Sequence, residues 1–298
     1  MLSAEIIARL RIDKGGGFNL ADRDPNDTCG LDIEKKEAEE RLAAGVKRLS
    51  ELQERLYAEG RWAVLAILQG LDTSGKDGVI KNVLSGINPQ GCQVHSFKQP
   101  SALELAHDFL WRTTVALPPR GIVGVFNRSY YEETVVVRVH PELLDRQNLP
   151  KRLVTGEIWK ERYEDINNFE LHLARNGVVP IKFFLHVSKE EQLKRLLARI
   201  DDPDKRWKFA LHDVEERKLW DSLINAYEDT IRHTATKHAP WYVVPADRKW
   251  FSRLVAAAIL IERMEALDLQ FPKLDETDLA ELNKAKATLL EEAKETGR

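Results

Sequence analysis

Between Trp62 and Val79 the chain reads WAVLAILQGLDTSGKDGV, and no other stretch limits the possible folds as tightly. Trp62 to Leu68 is a short apolar run bounded by polar residues, the pattern of a strand buried on both faces of a parallel sheet. Gly70, Leu71, Asp72, Thr73, Ser74, Gly75 and Lys76 fit the first seven positions of G-x-x-x-x-G-K, and a helix-capable run, Asp77 to Leu84, follows. Turn chemistry accounts for Gly, Asp and Ser after a strand, but it does not call for a lysine at that spacing before a helix. Strand, glycine loop and helix in that order can cradle phosphate oxygens with backbone N–H groups, while Lys76 supplies a point charge. The eighth position departs from the pattern. Asp77 stands where Ser or Thr would serve Mg²⁺, and Asp72 is a second acid within the loop. Two carboxylates beside such a cradle repel an anion unless a divalent cation lies between them, so the expected ligand is a metal–phosphate complex.

At 298 residues the chain is long enough for a sizeable core, and one domain with extensions is the expected organisation. A net charge of −3 gives no global attraction for nucleic acid, so a polyanion has to be held by local basic residues. No apolar run approaches the roughly 18 residues of a membrane helix, and MLSAEIIARLRIDK carries acids where a signal peptide needs an apolar core. A cytoplasmic protein without a membrane partner is the expectation. Cys29 and Cys92 lack C-x-x-C spacing, which argues against zinc and against a disulfide framework.

The remaining chain alternates strand and helix signals. Residues 1–32 open with apolar periodicity and continue as a Gly/Asp/Asn/Pro-rich loop. An amphipathic helix is expected from Glu34 to Ala58, with Leu42, Val46, Leu49, Leu52 and Leu56 facing the core. Gln93 to Phe97, Ile122 to Phe126, Val179 to Val187 and Trp241 to Val244 read as further strands. Helices are expected over Leu103 to Leu117, Glu157 to Arg175, from Ser188 through Ile200, Asp213 to Arg232 and Lys249 to Leu267. Leu143 to Gly156 reads as a connection, and the charged tail from Gln270 as weakly helical and partly disordered. In such an alternating α/β fold ligands lie beyond the carboxyl ends of the strands, which puts Asn127, Arg128 and Glu132 beside the phosphate loop. Arg138, inside VVVRVHP, either snorkels or faces an anion there. The segment DDPDKRWKF sets Arg199, Lys205, Arg206 and Lys208 around Trp207 between two helices, a basic hairpin able to close over a phosphate site as a lid.

GLDTSGKD, FNRSYYEE with VVRVHP, WKERYEDINNFE, KFFLHVSKEEQ, DPDKRWKF and APWYVVPA together resemble the polyphosphate kinase 2 family, specifically its class III members. These phosphorylate nucleoside mono- and diphosphates from inorganic polyphosphate. The resemblance runs from about Asp32 to Pro272 and keeps the order of the motifs. It implies a P-loop kinase-like three-layer sandwich with a parallel central sheet and a helical lid at about 195–220, in one phosphotransferase domain. The segment 1–60 is then a helical extension and 271–298 a tail. By position in the motifs, Asp72 holds Mg²⁺, with Mn²⁺ as a substitute, and Lys76 binds the phosphoryl group in transfer. Gly70, Thr73, Ser74, Gly75, Asp77 and Lys81 belong to the phosphate loop and its helix. Asn127 and Arg128 occupy the second motif, where many relatives carry Asp at the position of Asn127. Glu132 helps accommodate a monophosphate acceptor, Arg138 matches a basic position of the motif, and Arg199, Arg206 and Lys208 fall in the lid. The resemblance also implies assembly as a homodimer or homotetramer.

Two other readings share some of these features. A conventional kinase using ATP has the same loop but needs a shorter basic track than a polymer donor, and Lys81, Arg138 and the lid residues are the candidates for a long one. A phosphate-binding regulatory module without turnover has no need for both Asp72 and Lys76.

Overall fold

The computed structural model describes residues 2–295, the side chains of Lys208 and Glu295 excepted. Its strands are β1 (Arg11–Ile12), β2 (Ala63–Gln69), β3 (Cys92–Ser96), β4 (Val123–Asn127), β5 (Val178–His186) and β6 (Trp241–Pro245). They form one sheet in the order β1-β6-β5-β2-β4-β3. All neighbours are parallel except β1, which pairs antiparallel with β6 through Arg11 and Tyr242. Every residue of β2 is buried, as its unbroken apolar run requires of a strand covered on both faces. From β2 the chain crosses to the β3 and β4 side and then to β5 on the other side. The carboxyl end of β2 is therefore the switch point at which a crevice opens.

The helices are α1 (Ala4–Leu10), α2 (Lys35–Glu59), α3 (Lys76–Val83), α4 (Ala102–Leu105), α5 (Trp111–Thr114), α6 (Glu132–Val139), α7 (Ile158–Arg175), α8 (Lys189–Asp201), α9 (Leu211–Lys218), α10 (Trp220–Thr234), α11 (Lys249–Glu265) and α12 (Glu276–Glu295). One layer is built by α11 against α2 and α3, the other by α10 against α6 and α7. Buried leucines on α2 and the almost wholly buried run Leu254–Ile261 of α11 explain their union. None of the described helices is long and apolar enough to cross a membrane.

Several elements differ from expectation for identifiable reasons. The single helix expected over Leu103 to Leu117 is the two short helices α4 and α5, because the Asp108 carboxylate accepts the Leu110 N–H (3.0 Å) and offers the backbone a turn instead. The helix expected over Asp213 to Arg232 is divided at Leu219, whose N–H bonds back only three residues to Glu216 and ends α9. VVVRV forms the helix α6 despite its β-branched residues, since burial of Val135 and Val137 outweighs propensity. Part of the N-terminal opening adds the edge strand β1, and the tail forms α12, exposed along its described length.

Residues from four of the motifs meet behind the sheet rather than at the crevice. Lys182, at the middle of β5, is 0% exposed, and its ammonium donates to Glu170 Oε2 (2.6 Å), Tyr131 Oη (2.9 Å) and the Thr234 carbonyl (2.8 Å). Glu170 Oε1 accepts from the hydroxyls of Tyr130 (2.9 Å) and Tyr131 (2.7 Å), and Trp241 Nε1 donates to Thr234 Oγ1. All three ammonium protons have acceptors, which is the condition for tolerating a charge in the core. Burial lowers the Lys182 pKa, and burial with the Glu170 charge holds both tyrosines well above their ordinary value. Removing one partner strands the other charge. Glu170→Ala is expected to cost about 3–5 kcal/mol in a urea titration, and a cost below about 1 kcal/mol would contradict this account.

Candidate active site

The chain leaves β2 at Gly70 with φ of +147°, and a Cβ there would lie 2.7 Å from Ser74 Oγ and 2.8 Å from the Leu185 carbonyl. Gly75, at φ +111°, caps α3. Between these glycines the loop closes on Lys76, whose ammonium turns back to the carbonyls of Gly70 (2.6 Å) and Leu71 (3.1 Å). Burial lowers the Lys76 pKa to about 8, with the Arg128 guanidinium adding to the effect and Asp72, Glu132 and Asp77 opposing it. Thr73 Oγ1 and Ser74 Oγ are buried and unpartnered among the described residues.

Arg128 follows directly on β4 at φ +66°, an unusual conformation for a residue with a side chain, and its N–H is held by the Leu68 carbonyl of β2 (3.0 Å). That fold of the backbone aims its guanidinium across the loop mouth, where it bonds Asp72 Oδ1 (2.6 Å) and Glu132 Oε2 (3.0 Å). Glu132, and after it Asp72, raise the Arg128 pKa further, so it is a permanent cation. In the amide orientation that satisfies both its ends, Gln69 donates to Glu132 Oε1 (2.9 Å) and accepts the Ser129 N–H (3.2 Å). Tyr227 Oη accepts the Gly70 N–H (3.2 Å). On the far side, Asn127 Nδ2 donates to Asp77 Oδ1 (2.9 Å), while Asn127 Oδ1 is buried without a partner among the described residues.

Thus Gly70, Asp72, Thr73, Ser74, Gly75, Lys76, Asp77, Asn127, Arg128 and Glu132 converge at the carboxyl ends of β2 and β4. Lys81 lies one turn beyond Asp77 on α3 and is exposed. The lid positions sit on the arm formed by α8 and α9. Arg199 pairs with Asp213 (3.3 Å) between the two helices, and Arg206 caps the Ile200 carbonyl (2.8 Å) at the exposed tip. The Lys208 side chain lies outside the described residues. Arg138 does not join the group. It is one turn on from Thr134, on the side of α6 facing α7 and α10, where Tyr163 Oη (2.6 Å) and Asp229 Oδ2 (2.7 Å) hold its guanidinium.

Sequence reasoning passed over several residues of the crevice. Trp220, Tyr227 and Arg217 line it, with Arg217 donating to Gln192 Oε1 and the Lys189 carbonyl (both 2.8 Å). Gln192 donates to the Asp72 carbonyl (3.2 Å), and Arg195 bonds the loop from beneath. The available signal was Gln192 and Arg195 one turn apart beside Leu196, polar residues on the buried face of an amphipathic helix.

A mostly parallel sheet, a glycine–lysine loop at its switch point and a helical arm above define a P-loop kinase-like fold. Comparison with known proteins agrees. The Polyphosphate kinase 2 family profile matches residues 32–272. An ADP-polyphosphate phosphotransferase of Rhodopseudomonas palustris is 52% identical over 257 residues, which cover 86% of this chain and 89% of that protein. An AMP/ADP-polyphosphate phosphotransferase of Meiothermus ruber is 45% identical over 265 residues, 89% of this chain and 95% of its own. The crystal structure of polyphosphate kinase 2 from Arthrobacter aurescens superposes with a TM-score of 0.86 at 40% identity, covering 95% of each chain. The chain belongs to the polyphosphate kinase 2 family.

A lysine titrating near 8 gives the loop a pH dependence. The unfolded chain keeps this proton up to about 10.5, so burial of the charge opposes folding below pH 8, and the penalty fades as pH rises towards 10.5. Anion binding has the opposite sign. Calorimetric affinity for Mg²⁺–pyrophosphate is expected to weaken between about pH 7 and 9, and the effect to vanish in Lys76→Arg, which does not titrate there. The same pH profile in both proteins would remove Lys76 from the site.

Proposed function

We propose that this protein transfers phosphoryl groups from inorganic polyphosphate to nucleoside monophosphates and diphosphates, carrying AMP through ADP to ATP, as class III members of its family do. The observation that carries the reading is the row Asp72–Arg128–Glu132 laid across the mouth of a loop closed on Lys76. The printed names of the two relatives support the polymer donor and both acceptors. A conventional kinase with ATP as donor is the competing outcome of the assay below.

The acceptor nucleophile is a phosphate oxygen, already ionised at neutral pH, so the protein need not supply a general base. One P–O bond forms to the acceptor and the terminal phosphoanhydride bond of the donor breaks, leaving a polymer shorter by one phosphate. The protein's share is alignment of the two chains and compensation of charge on the equatorial oxygens. In this reading Lys76 exchanges the carbonyls of Gly70 and Leu71 for the transferring group. Arg128 exchanges its carboxylates for phosphate oxygens, and the cations of the lid, Arg199, Arg206 and Lys208, close from above. Glu132, freed from Arg128, sets the position of a monophosphate acceptor.

Asp72 and Asp77 flank Lys76, and the buried Asn127 Oδ1 offers a third hard oxygen. Among the described residues no three His, Cys, Asp or Glu side chains are grouped to hold a metal unaided. That donor set fits Mg²⁺, which typically binds one or two carboxylates and completes its sphere with water and substrate phosphates. When bound, the ion neutralises phosphate charge. The proposal extends to a cytoplasmic homo-oligomer of one P-loop phosphotransferase domain.

Purified protein with long-chain polyphosphate, Mg²⁺ and either AMP or ADP, without ATP, tests the reading by chromatography of the nucleotides. ADP and ATP formed from AMP are expected. Conversion of ADP alone narrows the acceptor class, and consumption of ATP with neither reaction contradicts the polymer donor. Lys76→Ala and Asp72→Ala are each expected to abolish turnover in folded protein. Arg128→Ala should lower kcat/KM by the equivalent of about 2–4 kcal/mol, and an unchanged kcat/KM would remove it from the machinery.

A further inference from the structure

Arg195 lies at the centre of α8, 7% exposed, between the phosphate loop and the end of β6. A guanidinium has five N–H donors in a fixed plane, and here each has an acceptor. Nε donates to Glu191 Oε1 (2.8 Å). Nη1 donates to the carbonyls of Thr73 (2.9 Å) and Ser74 (3.1 Å), and Nη2 to those of Ala246 (2.6 Å) and Asp247 (3.0 Å). Four of the five acceptors are backbone carbonyls from two distant segments.

In a trans peptide the C=O and the following N–H point in opposite directions. Holding the Ser74 carbonyl beneath the loop therefore turns the Gly75 N–H towards its concave side, where a phosphoryl oxygen would sit. The Ser74 N–H is taken by the Leu71 carbonyl (3.1 Å), so the 74–75 peptide is the one whose direction Arg195 sets for a ligand. The same helix continues from Arg195 to Arg199 and the lid tip, so one side chain joins the base of the lid to the loop.

We propose that Arg195 is a positioning residue for phosphoryl transfer: it fixes the backbone of residues 73–75 and keeps the lid in register with the loop. This rests on the function proposed above and adds a residue that does not touch the reacting atoms. The test compares full-length wild type with Arg195→Lys, which keeps the charge but has three donors and cannot span both carbonyl pairs. Thermal unfolding gives the folded fraction, and steady-state kinetics with polyphosphate and AMP gives kcat and KM separately.

The expected result is a fully folded variant whose kcat falls about 10–100-fold while the KM for AMP changes less than about threefold, since the misplaced loop amide serves the phosphates of the donor and not the nucleotide acceptor. Wild-type kcat per folded molecule in Arg195→Lys overturns the proposal. If Arg195→Lys does not fold, Glu191→Gln, which weakens only the contact orienting Nε, should lower kcat in the same direction. An unchanged kcat there also overturns it. If the wild type itself fails to use polyphosphate, the proposed function falls. Calorimetry with Mg²⁺–pyrophosphate, which needs no turnover, then decides Arg195: binding about tenfold weaker in Arg195→Lys is expected, and equal binding refutes its role.

Discussion

At Gly70 the main chain turns out of the central strand with φ of +147°, where a Cβ would fall 2.7 Å from Ser74 Oγ and 2.8 Å from the Leu185 carbonyl. A side chain at that point would have to displace backbone, and the loop could not close on Lys76. Once it closes, a buried ammonium, a helix N-terminus and two carboxylates lie within a few residues of one another at the end of a strand packed on both faces. Lys76 is buried there and its pKa is lowered by that desolvation, which is what gives such charges leverage on a phosphate. The remaining site residues are arranged around this closure. Arg128 spans the mouth, Tyr227 holds the first loop amide and Arg195 holds the carbonyls beneath.

The cations of the site are held by internal pairs. Lys76 rests on carbonyls, Arg128 on Asp72 and Glu132, and Arg199 on Asp213. In the function proposed above each cation exchanges one set of oxygens for another, so no charge has to be buried without a partner. The lid arm depends on a similar economy of contacts. His140 bonds Glu216 (2.7 Å) and Arg217 bonds Gln192, so α9 is fastened to α6 and α8 by few, replaceable interactions. The sheet, by contrast, is fixed by the fully buried Lys182–Glu170 pair and its tyrosines. The ion pair behind the sheet is thus fully buried, whereas the pairs that hold the arm are partly exposed.

Much of this could be read from residue order. Apolar runs, interrupted in β5 by Lys182, identify β2, β4, β5 and β6, the pattern of strands buried on both faces. The loop is legible because its chemistry depends on residue identity at fixed spacing. Arg128 and Glu132 follow from their place at a strand end. Arg138 shows where local reading stops: its setting in an apolar run suits an anion site as well as a structural role, and only the rotation of α6 turns it towards Asp229. Lys182 is a similar case, since its partner Glu170 stands twelve positions away on another element and meets it only in the fold. Arg195 is the least legible, because four of its five acceptors are main-chain carbonyls, and these carry no residue signature. The breaks at Asp108 and Leu219 escape periodicity for a related reason, each resting on a single turn bond.

In the proposed reaction one loop passes a phosphoryl group directly from a polymer to a nucleotide. The most direct measurement is ³¹P NMR of a single sample containing the protein, long-chain polyphosphate, Mg²⁺ and AMP, followed over time without added ATP. The expected result is loss of internal polyphosphate signal matched, phosphate for phosphate, by the β-phosphate of ADP and then the γ-phosphate of ATP. Inorganic phosphate appearing in place of nucleotide phosphates, or a spectrum that does not change, would contradict it.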